Sequence, residues 1–187
     1  VNIRIEDNVK PLKLRNGYYG SFWFSDAEKT VYVGRDIQRN EDNIIFGSNP
    51  TSVVFSDNVT TINPRMFRDA TKLSQVTIGN GVKEIGYEAF YNSGNDDTIG
   101  DQTVTMGTNV TKICNDAFNS CGKLRSITLP STLKLVEGYA FQSSGLTSIV
   151  IPASVDSLGD GAFRYCGSLV NIRIEDNVKP LKLRNGY

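Results

Sequence analysis

LRSITLPSTLKLVEGYAF, residues 124–141, and LTSIVIPASVDSLGDGAF, residues 146–163, align without a gap over eighteen positions and share one set of recurring apolar positions. Three more segments align with them without a gap: PTSVVFSDNVTTINPRMF from Pro50, LSQVTIGNGVKEIGYEAF from Leu73 and DQTVTMGTNVTKICNDAF from Asp101. The shared pattern is LxxIxIPxxVxxIGxxAF. Its closing Phe returns at Phe67, Phe90, Phe118, Phe141 and Phe163, in steps of 23, 28, 23 and 22 residues. Self-similarity at periods of roughly 20–50 residues is the mark of a stacked array, and missing it misassigns the whole fold.

Each unit reads physically. Ile-x-Ile has period two, so those two side chains point inward and their neighbours outward, as on a short strand. Pro or Gly then stops the strand. A second apolar pair three residues apart, such as Val82 and Ile85, returns toward the core, and the small residue with Phe plugs the far side from a short helical turn. One unit cannot bury all of this alone, whereas stacked copies make continuous ladders of Ile/Val and of Phe. The expectation is one parallel-stranded solenoid over residues 1–187, rising about 4.8 Å per rung. It has about seven units: five regular ones starting at 50, 73, 101, 124 and 146, and degenerate ones at 1, 28 and 169. Two stretches should bulge as loops, residues 92–101 (NSGNDDTIGD) and residues 16–28 (NGYYGSFWFSDAE).

The string VNIRIEDNVKPLKLRNGY stands at residues 1–18 and again at residues 170–187. Chance does not give eighteen matches in eighteen, and packing needs would fix only the apolar positions. The offset of 169 residues equals seven unit steps, so the string is the front of one solenoid unit inside a higher-order repeat, with Ile3, Ile5, Val9 and Leu12 in the register of the strand and its return. A chain that opens on Val in this way reads as a piece of something longer.

The pattern LxxIxIPxxVxxIGxxAF, with Cys three residues after Phe at Cys121 and Cys166, resembles the BspA-like leucine-rich repeats of bacterial surface proteins. The resemblance spans almost the whole chain, and a multi-unit periodic pattern is more specific than any short motif. It departs from the pattern at Glu28, Met66 and Asp101. What it implies is an α/β solenoid: a right-handed leucine-rich-repeat superhelix with short parallel strands on one face and helical turns and loops on the other. It further implies a secreted or cell-surface bacterial protein engaged in adhesion, with no catalytic residues to carry over.

Composition narrows the chemistry. Twenty Lys and Arg balance twenty Asp and Glu, so no long-range field favours nucleic acid or anionic lipid. No apolar run approaches the roughly 20 residues of a membrane span. Histidine is absent, which removes the usual general base and the commonest metal ligand and weighs against an enzyme. No cofactor is called for. Cys114, Cys121 and Cys166 lack the close clustering of a zinc site. Cys121 and Cys166 fall two rungs apart, about 10 Å at the strand spacing and beyond disulfide reach, so buried free thiols are expected. Asp96, Asp97 and Asp101 suggest calcium only until Ile99 and Met106 are seen where ligands would be needed, and a solvated loop fits better.

The outward strand positions form two polar rows, which read Asn2, Ser52, Gln75, Thr103, Ser126, Ser148, Asn171 and Arg4, Tyr32, Val54, Thr77, Thr105, Thr128, Val150, Arg173. Such arrays present this face to partners, and the candidate binding residues are Gln75, Thr77, Thr103, Thr105, Ser126, Thr128, Ser148 and Arg173. Ser and Thr also simply suit a solvated strand face. The aromatic burst Tyr18, Tyr19, Phe22, Trp23, Phe24 is read as core filling where the repeat fails, with a partner patch as the other reading. The expected partners are host or bacterial surface proteins or glycans; the alternative is a structural spacer in a long stalk. Raw solenoid ends predict end-to-end self-association, because terminal caps normally cover them.

Overall fold

The structure is a computed structural model that describes residues 3–13, 30–38, 46, 50–176 and 180–183. The aromatic burst and the loop expected at residues 16–28 lie outside the described residues.

The Ile-x-Ile segments form the front strands. Ile3–Ile5, Thr30–Val33, Ser52–Phe55, Gln75–Thr77 and Thr103–Thr105 make one five-stranded sheet, all parallel, and Ser148–Ile151 pairs with Asn171–Ile174 further along. Register follows the sequence alignment, with Val53 beside Val76 and Val76 beside Val104. The inward side chains Val31, Val33, Val53, Phe55, Val76 and Ile149 are buried, while the candidate residues between them are exposed. The second apolar pair forms a second wall. Thr61–Ile62, Glu84–Ile85, Lys112–Ile113, Leu135–Val136, Ser157–Leu158 and Lys182–Leu183 make a six-stranded parallel sheet, here called the return sheet.

The third side corrects the expected helical turns: no helix occurs among the described residues. On each side of the small residue and Phe stands a residue in the left-handed region: Arg65 and Asp69, Glu88 and Asn92, Asp116 and Ser120, Tyr139 and Ser143, Gly161 and Tyr165, with φ between 51° and 61°. These reversals turn alternate amides toward the next rung. Phe67 N–H donates to Ala89 C=O at 2.7 Å, Phe90 to Ala117 at 2.8 Å and Phe118 to Ala140 at 2.7 Å. The amides in between make i to i−3 turns, as from Ala70 to Phe67 C=O at 3.2 Å. A left-handed L-residue costs about 1–2 kcal/mol, and one inter-rung hydrogen bond at a buried site repays a similar amount.

The Phe ladder runs through the core. Centroids of Phe46, Phe67, Phe90, Phe118, Phe141 and Phe163 follow one another at 4.8, 5.7, 5.2, 5.4 and 5.4 Å, with rings within 8° of parallel. Phe55 meets Phe67 and Phe90 edge-on. Phe46, which no repeat alignment includes, extends the ladder into the degenerate second unit, and its N–H donates to Met66 C=O at 3.1 Å.

Two features of the repeated string depart from its expected register. Val9 is 92% exposed, although Val59, Val82 and Val110 at the same unit position are buried. The next rung reaches its return residue Ile37 only four residues after Val33, so no described residue of that rung covers Val9, while Leu12 still pairs with Ile37. In the second copy the return strand pairs Leu183, not Leu181, with Leu158.

Candidate functional site: the front face and its groove

All eight candidate residues lie exposed on the front side. The sheet places Gln75 beside Thr103 and Thr77 beside Thr105, and Val150 beside Arg173. Between Thr103–Thr105 and Ser148–Ile151 the pairing lapses. A single bridge joins Gln102 to Leu124, and Arg125 C=O accepts from the N–H and hydroxyl of Thr147 at 3.0 and 3.2 Å. Residues 126–129 form no backbone pair among the described residues, although Ile127 and Leu129 remain buried.

A groove of about 470 Å³ opens over this lapse, its lining including Ser126, Thr128, Ser148, Val150, Arg173 and Glu175. Four of the eight candidates are thus gathered in one place, and Gln75, Thr77, Thr103 and Thr105 continue the face beside it. The groove offers hydroxyls, unpaired backbone groups, one guanidinium and the half-exposed Val150. That set suits polar and main-chain recognition.

Sequence reasoning missed a second cluster, on the turn side. Glu88, 7% exposed, accepts from Arg65 Nε at 2.7 Å, from Tyr87 Oη at 2.8 Å and from Arg68. The Arg68 guanidinium stacks over Tyr91 at 4.7 Å and that of Arg65 over Tyr87 at 5.1 Å. Burial pushes the Glu88 carboxyl up, but the hydrogen bonds from Arg65 and Tyr87 and the Arg68 charge outweigh it, so the carboxyl is held below its ordinary range. Its contribution to stability is therefore present above that range and fades as pH falls through it. The signal was there in the alignment columns: Arg65 and Glu88 share one unit position, and Arg68 and Tyr91 another.

The remaining chemistry-bearing residues are used up structurally. Cys121 Sγ donates to Phe90 C=O at 3.2 Å and Cys166 Sγ to Phe141 C=O at 3.0 Å; all three cysteines are free, with Cys166 only half-buried. Burial pushes the thiols of Cys114 and Cys121 up to about 12, which keeps them unreactive. Asp96 accepts from Thr98, Asp97 pairs with Lys123 at 3.1 Å and Asp101 with Arg125 at 3.3 Å. Among the described residues no group of His, Cys, Asp or Glu could hold a metal ion, and no helix is long and apolar enough to cross a membrane. Where Asp101 replaces the leading Leu, the buried Gln102 takes its place, donating from Nε2 to Leu73 C=O at 2.9 Å and to Ser93 Oγ at 3.1 Å.

Compared with known families, the chain matches the BspA-type leucine-rich repeat region in six copies, over residues 41–100 and 100–184. The chain belongs to the BspA-type leucine-rich-repeat family. Six matched copies fit the five regular units and their neighbours in the solenoid. Among solved structures, a leucine-rich repeat protein from Bacteroides ovatus is similar at 30% identity and TM-score 0.57, covering 63% of this chain and 30% of that one. The BspA-type chain therefore spans under a third of that relative's length. A leucine-rich repeat protein of T. pallidum is similar in fold, with TM-score 0.64 at 23% identity over 83% of this chain and 72% of that one. A search of curated proteins gave no match.

Proposed function

We propose that this BspA-type solenoid is a non-enzymatic interaction module on a bacterial surface, which takes a host or bacterial surface protein or glycan on its front face. The groove over residues 126–129 is the observation that supports this reading, because it brings Ser126, Thr128, Ser148 and Arg173 together beside backbone groups that no neighbouring strand uses. An extended segment lying there gains main-chain hydrogen bonds, and Arg173 with Glu175 sets its direction by charge. Membership of a family of bacterial repeat proteins supports the extracellular setting.

Immobilised matrix proteins, surface proteins and glycans should include one that binds saturably. That binding should weaken at least about tenfold when Thr128 and Ser148 are both changed to Lys, which fills the groove. The triple change of Thr77, Thr105 and Thr128 to Lys should weaken it further. Binding indifferent to both sets of changes would remove the front face from consideration. The second reading, a spacer segment in a longer stalk, is favoured by one observation: the 18-residue string recurs after 169 residues. It predicts no binding anywhere on such a panel.

A further inference from the structure

The corner that follows the front strand Gln75–Thr77 carries the dipeptide Asn80–Gly81. In such a pair a backbone amide reaches the asparagine side chain most easily, because Gly has no Cβ to hinder the approach. Val82 N–H donates to Gly79 C=O at 3.2 Å, which closes a turn with Asn80 and Gly81 at its centre. Neither central residue lies in the left-handed region, so the turn is type I. Asn80 is exposed, and neither its Nδ2 nor the Gly81 N–H has a hydrogen-bond partner among the described residues.

Those two free groups are the ones that deamidation uses. Hydroxide takes the proton of the Gly81 N–H, and the nitrogen attacks Cγ of Asn80. A bond forms from the Gly81 nitrogen to Cγ, the Cγ–Nδ2 bond breaks, and ammonia leaves with a proton from water. The product is a succinimide ring. Water then opens either of its carbonyls, giving aspartate or isoaspartate at position 80, and no oxidant or reductant is consumed.

The neighbouring rungs oppose that ring closure. Asn80 Oδ1 accepts from Thr108 N–H at 3.0 Å and from Thr108 Oγ1 at 2.9 Å, which turns the side chain toward the next rung. Asn80 N–H donates to Asp57 Oδ1 at 2.6 Å, which fixes its backbone to the preceding rung. Thr108 is held in turn, since its C=O accepts from Thr132 Oγ1 at 2.6 Å. Gly81 cannot move in Asn80's place, because its backbone lies hard against the preceding rung: a Cβ there would sit 1.9 Å from the Asp57 carbonyl oxygen. Closing the ring requires Asn80 to rotate out of the turn and off Thr108.

We propose that Asn80–Gly81 is a self-modification site that the solenoid keeps latent, with the Thr108 clamp as its guard, so that Asn80 deamidates only when this corner parts from the next rung. The two products differ in consequence. Aspartate keeps an oxygen for Thr108, as Asp57 already supplies one to the Asn80 N–H a rung earlier. Isoaspartate lengthens the backbone by a carbon and loses the clamp, which loosens the corner behind Thr77 on the front face.

Peptide mapping by mass spectrometry tests this on the full chain, incubated at mildly alkaline pH with and without urea. Conversion of Asn80 should be at least about tenfold slower in the folded chain than in urea. Thr108→Val removes the hydroxyl and keeps the N–H. It should raise the folded-state rate about two- to tenfold, the factor that one hydrogen bond is worth, and leave the rate in urea unchanged. Thr108→Ser retains the hydroxyl and should retain the unaltered rate, which tells loss of the clamp from general loosening. In thermal melts the purified isoaspartyl form should unfold below the unaltered chain, and Asn80→Asp close to it. Equal rates with and without urea, or no conversion in urea, would overturn the proposal. So would a Thr108→Val chain as slow as the unaltered one.

Discussion

Replacing Phe118 with Ala is expected to destabilise the array by about 3–5 kcal/mol, the largest effect of any single side chain considered. Phe118 has no exposed surface and stacks between Phe90 at 5.2 Å and Phe141 at 5.4 Å. Its neighbours cannot collapse into the gap, because their own backbones are held rung to rung by the hydrogen bonds of Phe90 to Ala117 and Phe118 to Ala140. In a nearest-neighbour array the loss falls on both adjoining interfaces, so the chain should also unfold less cooperatively. Urea denaturation followed by circular dichroism measures it. Thr105→Ala, on the exposed face, should stay within about 0.5 kcal/mol of the unaltered chain. A Phe118→Ala loss as small as that of Thr105→Ala would mean that the ladder does not carry the core.

Gly107→Ala is expected to cost about 1–3 kcal/mol through strain between rungs. A Cβ at Gly107 would sit 2.2 Å from the carbonyl oxygen of Gly79 and 2.8 Å from its carbon. The obstructing atoms are backbone, so no side chain can swing aside and the two rungs must part. The opposing gain from stiffening the unfolded chain is only about 0.4–1 kcal/mol. Gly100, in the loop, has nothing within 4 Å of such a Cβ, so Gly100→Ala should be neutral or slightly stabilising. Thermal melts of the two variants side by side decide it. Equal melting temperatures would mean that the corner at Gly107 is not closely packed.

The front face was legible because period-two alternation is a local signal, and the registers of Val53, Val76 and Val104 follow from aligning the units. The turn side was not. Arg65, Glu88 and Tyr139 carry no local preference for the left-handed region, and only Asp, Asn and Gly161 among the ten positions hint at it. Those conformations persist because carbonyls of the next rung accept from the turn's amides, and such partners are invisible in a single unit. The expected helical turns were the reasonable local reading and lost to that tertiary term. Phe46 escaped notice because polar residues after Gln38 interrupt the pattern, and Val9 was misjudged because the shortened Val33-to-Ile37 connection belongs to the following rung. Of the candidate face, period-two alternation indicated that the eight residues would be exposed, as they are. It did not indicate that the sheet lapses at residues 126–129, which depends on how neighbouring rungs meet. The Arg65–Glu88–Arg68 cluster was readable in principle, from columns rather than rows of the alignment.

The turn side rests on rungs that hydrogen-bond to one another in a single register, amide to carbonyl of the next rung. Scalar couplings across hydrogen bonds, measured by NMR on the isotopically labelled chain, test that most directly. The predicted result is a coupling from the Phe118 amide nitrogen to the Ala140 carbonyl carbon, with matching couplings from Phe90 to Ala117 and from Phe141 to Ala162. A coupling from Phe118 to the carbonyl of Cys114 instead, the pattern of a helical turn, would contradict it.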